Sequence, residues 1–454
     1  MEKGELSGIL KDVLEDVTPT RIERQSERRV LDKSFDILKD IIKRMKLPIE
    51  PMLVGSIAKD TDLRFNKDID LFLLFDKDIP REELEKFGLD IGREFFAALD
   101  TTGEVNYAEH PYTKGKYKGF IIEVVPCYRI KKGQKIISAV DRSPLHTEFV
   151  AGKLAKNPGL KGEIRLLKQF MKANGLYGAN AAVEGFSGYL CELLVIKYGD
   201  FMKVMRTLAT WERGRIISLT STRRKFPGAP LVLIDPVDSN RNVAAAVSMS
   251  KLARAVVVAQ EFLGDPRKEL FYPKRIKKLG KRDFKNILKT RQTELICISF
   301  SVPQLLEDTL ISQLDKSLKA LVNACEAKGF RIIKYGQWTD QGKAVIILEF
   351  DVWSLPRVER RIGPTFDSNK TDIEGFLKKN LKIAVSKPYM EEDRWAIDVT
   401  RTYREAEGFV KSFMKSPEGF GKNLREVKDI KVYRNAQALK IKDDAFWEYM
   451  YRFW

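Results

Sequence analysis

Apolar residues recur at helical spacing through the first 46 positions (Ile9, Leu10, Val13 and Leu14, then Leu31, Phe35, Leu38, Ile41 and Ile42). Residues 5–46 are therefore expected to be amphipathic helices that cover a sheet. The pattern then shifts to short apolar runs. Residues 51–54, 69–75 and 120–127 read as strands, and 81–99 as a well-patterned helix between the second and the third. Lys114, Gly115, Lys116, Lys118 and Gly119 read as a solvated loop before the third strand. From about 146 to 270 the pattern is helical, most clearly over 164–171 and 188–196. Beyond it a basic run, 274–282, leads into strand 295–302, helix 303–328 and strands 330–335 and 344–353. That order is part of a ferredoxin-like or RRM-like arrangement, without the aromatic signature that stacks single-stranded bases. Charged helices at 372–379 and 406–413 are assigned to a tail. The expected fold is thus α+β and multidomain, with domains at 1–145, 146–270 and 271–454.

Charge narrows the class of partner. With 81 Lys and Arg against 63 Asp and Glu, the chain carries a formal charge of +18, a surplus that attracts polyanions and above all nucleic acid. No run of eighteen apolar residues occurs, and the start, Met1-Glu2-Lys3-Gly4-Glu5, lacks the apolar region of a signal peptide. The expectation is a soluble, cytoplasmic protein with no membrane partner. Four cysteines, Cys127, Cys191, Cys297 and Cys325, lack metal-binding spacing and are expected to be small buried hydrophobes.

The candidate chemistry sits in the stretch 55–75, GSIAKDTDLRFNKDIDLFLLF. On a strand, Asp68 and Asp70 project from one face, about 7 Å apart. Two such carboxylates can converge on divalent ions when a third acid comes from a neighbouring strand. Glu123, one acid in the apolar run 120–127, is the candidate, because an uncompensated carboxylate there would be costly. Upstream, Gly55 allows close approach of backbone to phosphate, Ser56 adds a hydroxyl, and Lys59 lies about one helical turn further on. An acid-x-acid pair or a Gly-Ser turn alone is commonplace; the conjunction is not.

These elements, with Tyr107-Ala108-Glu109-His110-Pro111, Ser138-Ala139-Val140-Asp141-Arg142, Lys172-Ala173-Asn174-Gly175, the 185–193 stretch GFSGYLCEL and Asp235-Pro236-Val237-Asp238, resemble the archaeal-type (class I) CCA-adding tRNA nucleotidyltransferases of the DNA polymerase β-like superfamily. The resemblance runs through roughly the first 270 residues and continues more weakly to Arg360-Arg361-Ile362-Gly363-Pro364. It implies a polymerase β-like catalytic domain, a helical central domain, and a C-terminal body and tail that grip the acceptor and T arms of tRNA. It also implies CTP and ATP as substrates and two Mg2+ ions held by Asp68, Asp70 and Glu123. Nucleotide contacts are implied for Gly55, Ser56, Lys59, His146, Lys168 and Tyr177, and base reading for Arg241; His110 falls in a motif beside the site. Three positions depart from the family pattern: Glu123 stands where it has aspartate, Asp68 where it has glutamate, and Lys59 where it often has arginine. A poly(A)-type terminal transferase and a catalytically inert RNA-binding protein are the alternative readings. A homodimer is left open.

Overall fold

Two helices begin the chain, and they serve different cores. The computed structural model describes all residues except 1–2, 108, 132, 221–223, 274–276 and 341; the first three residues of the basic run 274–282 and Ala108 thus lie outside the described residues. Helix α1 (Lys3–Val17) puts Val13 and Val17 into a helical core, which corrects the expectation that all of 5–46 covers a sheet. Helix α2 (Arg21–Met45) does cover the sheet. Its start is fixed by a capping box, in which Thr20 Oγ1 accepts from the Glu23 amide and the Glu23 carboxylate accepts from the Thr20 amide. Its face of Val30, Leu38, Ile41 and Ile42 meets the strands.

Strand β1 (Glu50–Val54) runs straight into a single helical turn, α3 (Gly55–Ala58), and a polar segment returns the chain as β2 (Asp68–Phe75). Helix α4 (Arg81–Ala98) follows, then β3 (Gly103–Tyr107), β4 (Pro111–Tyr117) and β5 (Phe120–Tyr128). The five strands form one sheet in the order β1-β2-β5-β4-β3, with β2 and β5 parallel and the other neighbours antiparallel. Ile69, Leu71, Leu73 and Phe75 point into the core beneath α2 and α4, while Phe72 and Leu74 pack on the other face with Val54, Val125 and Cys127. Asp68 and Asp70 share that second face by the period of two. The expected loop at 114–119 is corrected: Lys114, Gly115 and Lys116 belong to β4, and only Lys118 and Gly119, both at positive φ, make the turn into β5.

Helix α5 (Arg142–Lys156) crosses the 145/146 position and opens the helical half, built with α6 (Leu160–Ala173), α7 (Gly188–Tyr198), α8 (Phe201–Leu208) and α9 (Met249–Gly264). Between α8 and α9 the short strands β6 (Arg215–Ser218) and β7 (Leu231–Ile234) pair in parallel. Phe170, Phe201, Phe262 and Phe271 meet at 5.4–5.8 Å between ring centroids, mostly edge to face, at the centre of this core. Everything to this point lies in one compact unit, Met1–Lys274.

The second unit, Arg275–Trp454, has its own core. It contains α10 (Lys281–Arg291), β8 (Glu294–Ser301), α11 (Glu307–Ala327), β9 (Arg331–Thr339) and β10 (Lys343–Val352), then β11 (Val358–Thr365), α12 (Lys370–Leu381), β12 (Tyr389–Glu391) and β13 (Arg394–Thr400). It ends with α13 (Ala406–Phe413), β14 (Lys428–Arg434) and α14 (Asp444–Phe453). The antiparallel sheet order β14-β8-β10-β9 is that of a ferredoxin-like β-α-β-β-α-β unit, and the three-stranded sheet β11-β13-β12 with α12 is an insertion after its third strand. The second helix of the unit is α13, whose Ala406, Phe409 and Val410 enter the main core; its assignment to a tail is corrected. On the other face of the sheet, Leu295, Cys297, Val345 and Ile347 pack against Phe284 of α10 and Phe446, Trp447 and Met450 of α14. The central strands β8 and β10 are therefore buried on both faces, while the edge strands β9 and β14 keep exposed positions.

Candidate active site

The site grows from the register of neighbouring strands. Asp70 on β2 stands directly beside Glu123 on the parallel strand β5, and Glu123 stands opposite Lys114 on β4. Asp68 lies two residues before Asp70 on the same face. Burial, then repulsion from Glu123 and Asp68, pushes the Asp70 carboxyl up to about 7, so three carboxylates compete here for positive charge. An all-oxygen donor set of this kind suits a hard divalent cation. Glu123 Oε1 accepts a hydrogen bond of 2.7 Å from Lys114 Nζ, and among the described residues no three His, Cys, Asp or Glu side chains already surround a single point. The donor set fits a cation once Glu123 is released from the lysine.

Val54 ends β1 in extended conformation and Gly55 turns the chain at φ 79°. A β-carbon on Gly55 would run into the Asp70 carboxylate, so both the backbone angle and the available space call for glycine. Gly55, Ser56, Lys59, Asp70 and Glu123 line one side of a cavity of about 410 Å³, a volume in the range of small-molecule sites. From the helical half, His146, Lys168 and Tyr177 line the other side.

Two ammonium groups in that wall share one acid. Glu192 on α7, 1% exposed, accepts from Lys59 Nζ at 2.6 Å, Lys168 Nζ at 2.8 Å and Thr61 Oγ1 at 2.7 Å. Lys168 also donates to the Thr61 carbonyl and hydroxyl. Burial by itself would raise the Glu192 carboxyl, but Lys168 and Lys59 outweigh it and hold the group at about 2. The turn after β1 is thereby tied to α6 and α7. Tyr177, its hydroxyl pushed upward by burial, packs its oxygen against Gly188 at the start of α7, where an added β-carbon would come within 2.8 Å.

Arg241 and Asp68 are not lining residues of the cavity. Asp68 acts on it through Asp70, as described, and Arg241 through Asp235. The fully buried Asp235 carboxylate accepts from Arg241 Nη1 and His146 Nε2, both at 2.9 Å, and from the Tyr189 hydroxyl at 3.3 Å. His146 stacks on Tyr189 at 3.9 Å. Burial depresses His146 and keeps its ring neutral near pH 7, despite the pull of Asp235 toward protonation. The carboxylate can only accept, so Nε2 carries the proton and Nδ1 is an acceptor. Asp238 takes Arg142 at 2.8 Å, and Asp141 accepts from the Tyr128 and Ser138 amides. The two aspartate-bearing motifs are thus brackets between the sheet and the helical half. His110 is elsewhere: its buried ring faces Glu85 at 3.3 Å and Tyr128.

Glu192, Asp235 and Tyr189 lie in motifs that carry the resemblance but were assigned no site role in the sequence reading. The available signal was the one that singled out Glu123, an acid inside an otherwise apolar run; in α7 it is Glu192 between Cys191 and Leu193.

A turn of glycine and serine, an acid pair on the next strand and a third acid beside it are the arrangement expected of a nucleotidyltransferase. Residues 35–146 match the family model described as nucleotidyltransferase domain, 162–272 that of tRNA nucleotidyltransferase, second domain, and 291–435 that of CCA-adding enzyme, C-terminal domain. The CCA-adding enzyme of Methanothermobacter thermautotrophicus is 35% identical over 96% of this chain and 94% of its own length. That of Archaeoglobus fulgidus is 34% identical over 92% of each. The chain belongs to the CCA-adding enzyme family. Among solved structures, the Cid1 poly(U) polymerase bound to MgATP covers 60% of this chain and 100% of its own, at 16% identity and a TM-score of 0.50, a similarity of fold.

Proposed function

We propose that this enzyme adds C, C and A in turn to the 3′ end of tRNA, from CTP and ATP and without a nucleic-acid template. The observation that carries this reading is the row of carboxylates beside the Gly55-Ser56 turn, facing a wall of basic and aromatic side chains, in a chain of this family. In the reaction the terminal 3′ oxygen forms a bond to the α-phosphorus as the bond from that phosphorus to pyrophosphate breaks. The hydroxyl proton leaves to solvent.

Asp68, Asp70 and Glu123 would hold two Mg2+ ions, which supply acidification of the attacking hydroxyl and charge neutralisation of the leaving pyrophosphate. The Gly55 and Ser56 amides and the Ser56 hydroxyl hold phosphate oxygens. Lys59 and Lys168 set a positive potential at that end of the cavity, while Tyr177 bounds it. His146 and Arg241, aligned by Asp235, meet the nucleoside. Functionally, 1–145 supplies the chemistry, 146–270 the nucleotide and primer contacts, and 271–454 the grip on the acceptor and T arms of tRNA. The setting is the cytoplasm.

The test uses tRNA transcripts ending before CCA, after C and after CC, each with one labelled nucleotide and Mg2+. Two additions of C and a single A, then arrest, are expected. Repeated addition of A would replace this reading with a poly(A)-type activity, and tight tRNA binding without incorporation would replace it with an inert RNA-binding protein.

A further inference from the structure

The row of charges across the sheet does not stop at the carboxylates. Read along one face it runs Asp70, Glu123, Lys114, Glu104, one residue each from β2, β5, β4 and β3, every one directly opposite the next. Lys114 is therefore flanked by two acids at cross-strand distance, roughly 5 Å between β-carbons. It is bonded to Glu123, at 2.7 Å. Glu104, on its other side, is exposed and forms no salt bridge among the described residues. The Lys114 side chain is 40% exposed and so has a path out. The two other lysines at this site lack that freedom, being 7% and 2% exposed and locked on Glu192.

We propose that Lys114 is a tethered counter-ion of the carboxylate site, holding Glu123 while no divalent cation is bound and swinging to Glu104 when one is. This rests on Asp68, Asp70 and Glu123 being the metal-binding carboxylates. The physical case is direct. Glu123 is the acid whose alignment is diverted, since its Oε1 faces an ammonium group, and no set of three acids is closed among the described residues while it does. A cation that recruits Glu123 must displace that ammonium, and the displaced charge finds its next acceptor one strand away without crossing an apolar surface. The lysine lowers the repulsion among three acids in the empty site and competes with the metal for one of them. It makes divalent binding weaker and more dependent on a second negative ligand, the triphosphate.

The experiment measures Mn2+ binding to the full chain by electron paramagnetic resonance, without nucleotide, alongside thermal melts that report folding. Lys114→Met keeps the length of the side chain and removes its charge; it should tighten Mn2+ binding by about five- to tenfold, as expected for loss of a close like charge. Glu104→Gln, which removes the alternative acceptor, should weaken binding about two- to threefold. Lys116→Met, two residues along the same strand and not bonded to Glu123, controls for general charge and should change it less than Lys114→Met. Asp70→Asn should abolish the tight site. If Asp70→Asn removes binding but Lys114→Met matches wild type or Lys116→Met, the counter-ion proposal is wrong and the metal site stands. If Asp70→Asn leaves Mn2+ binding intact, the carboxylate assignment and the proposal fall together.

Discussion

Gly55 and Asp70 occupy each other's space: the position of a β-carbon on the glycine is the position of the aspartate carboxylate. Gly55→Ala therefore meets two costs, a left-handed backbone at φ 79°, roughly 1–2 kcal/mol, and displacement of the acid beneath it. The variant should fold, with a melting temperature lowered by a few degrees, and lose about a hundredfold or more in nucleotide addition. Activity within threefold of wild type would mean that Asp70 does not need to stay where the turn holds it.

Glu192 makes stability depend on acid. Its carboxyl is held at about 2 in the folded chain against an ordinary value near 4.5. A lowered value means stabilisation that is complete above the unfolded value and is lost as pH falls from about 4.5 toward 2, roughly 3 kcal/mol in all. Glu192→Gln leaves Lys59 and Lys168 without their counter-charge and should destabilise the first unit by about 3–5 kcal/mol at pH 7. Urea titrations of the two proteins should converge as pH drops through this window; a constant gap would show that the carboxylate is not the source.

Asp235→Asn tests the proposed nucleoside contacts of His146 and Arg241. The amide offers one acceptor where the carboxylate serves His146, Tyr189, Arg241 and the Val237 amide. KM for CTP and for ATP should both rise, by about tenfold or more, with a smaller fall in kcat. A rise for one nucleotide alone would assign the cluster to discrimination between bases.

In the second unit, Phe446 on α14 is fully buried against Trp338 and Trp447. Phe446→Ala should cost about 3–5 kcal/mol and be read in calorimetry as earlier melting of a transition belonging to Arg275–Trp454. A melt indistinguishable from wild type would mean that α14 adds little to that core.

The net charge of +18 gives a prediction in solution. The affinity for tRNA should fall steeply with salt, by about a thousandfold between 50 and 200 mM if six or more phosphates are contacted. A flat profile would separate the basic surplus from RNA binding.

Strands β1, β2 and β5, helix α4 and the β-α-β-β start of the second unit were legible in the sequence, because their apolar residues follow one period over a full element. The Gly55-Ser56 turn and the acids were legible for the same reason, their position being fixed by the strands around them. Strand β4 was not, since Thr113 and Gly115, its inward positions, are small; the large apolar partner is on α4, where Phe96 fills the space over Gly115. Helix α13 was legible as a helix but not as the second helix of the ferredoxin-like unit, because the insertion from β11 to β13 separates it from the strands it completes. The links Lys59–Glu192–Lys168 and His146–Asp235–Arg241 join residues up to 133 positions apart, and no local period records such a meeting.

The coverage of β8 and β10 on both faces by helices has a consequence for what this enzyme can know about its substrate. Bases need a flat wall to lie on, and here its central strands are already covered. In the proposed grip on tRNA, contact would then fall to strand edges, helix flanks and the inserted sheet, which sense outline and charge. A grip of that kind would choose a transfer RNA by its shape and not by its letters. On the proposed reading it would select by elbow and stem, and would leave the reading of nucleotides to the cavity where they are added.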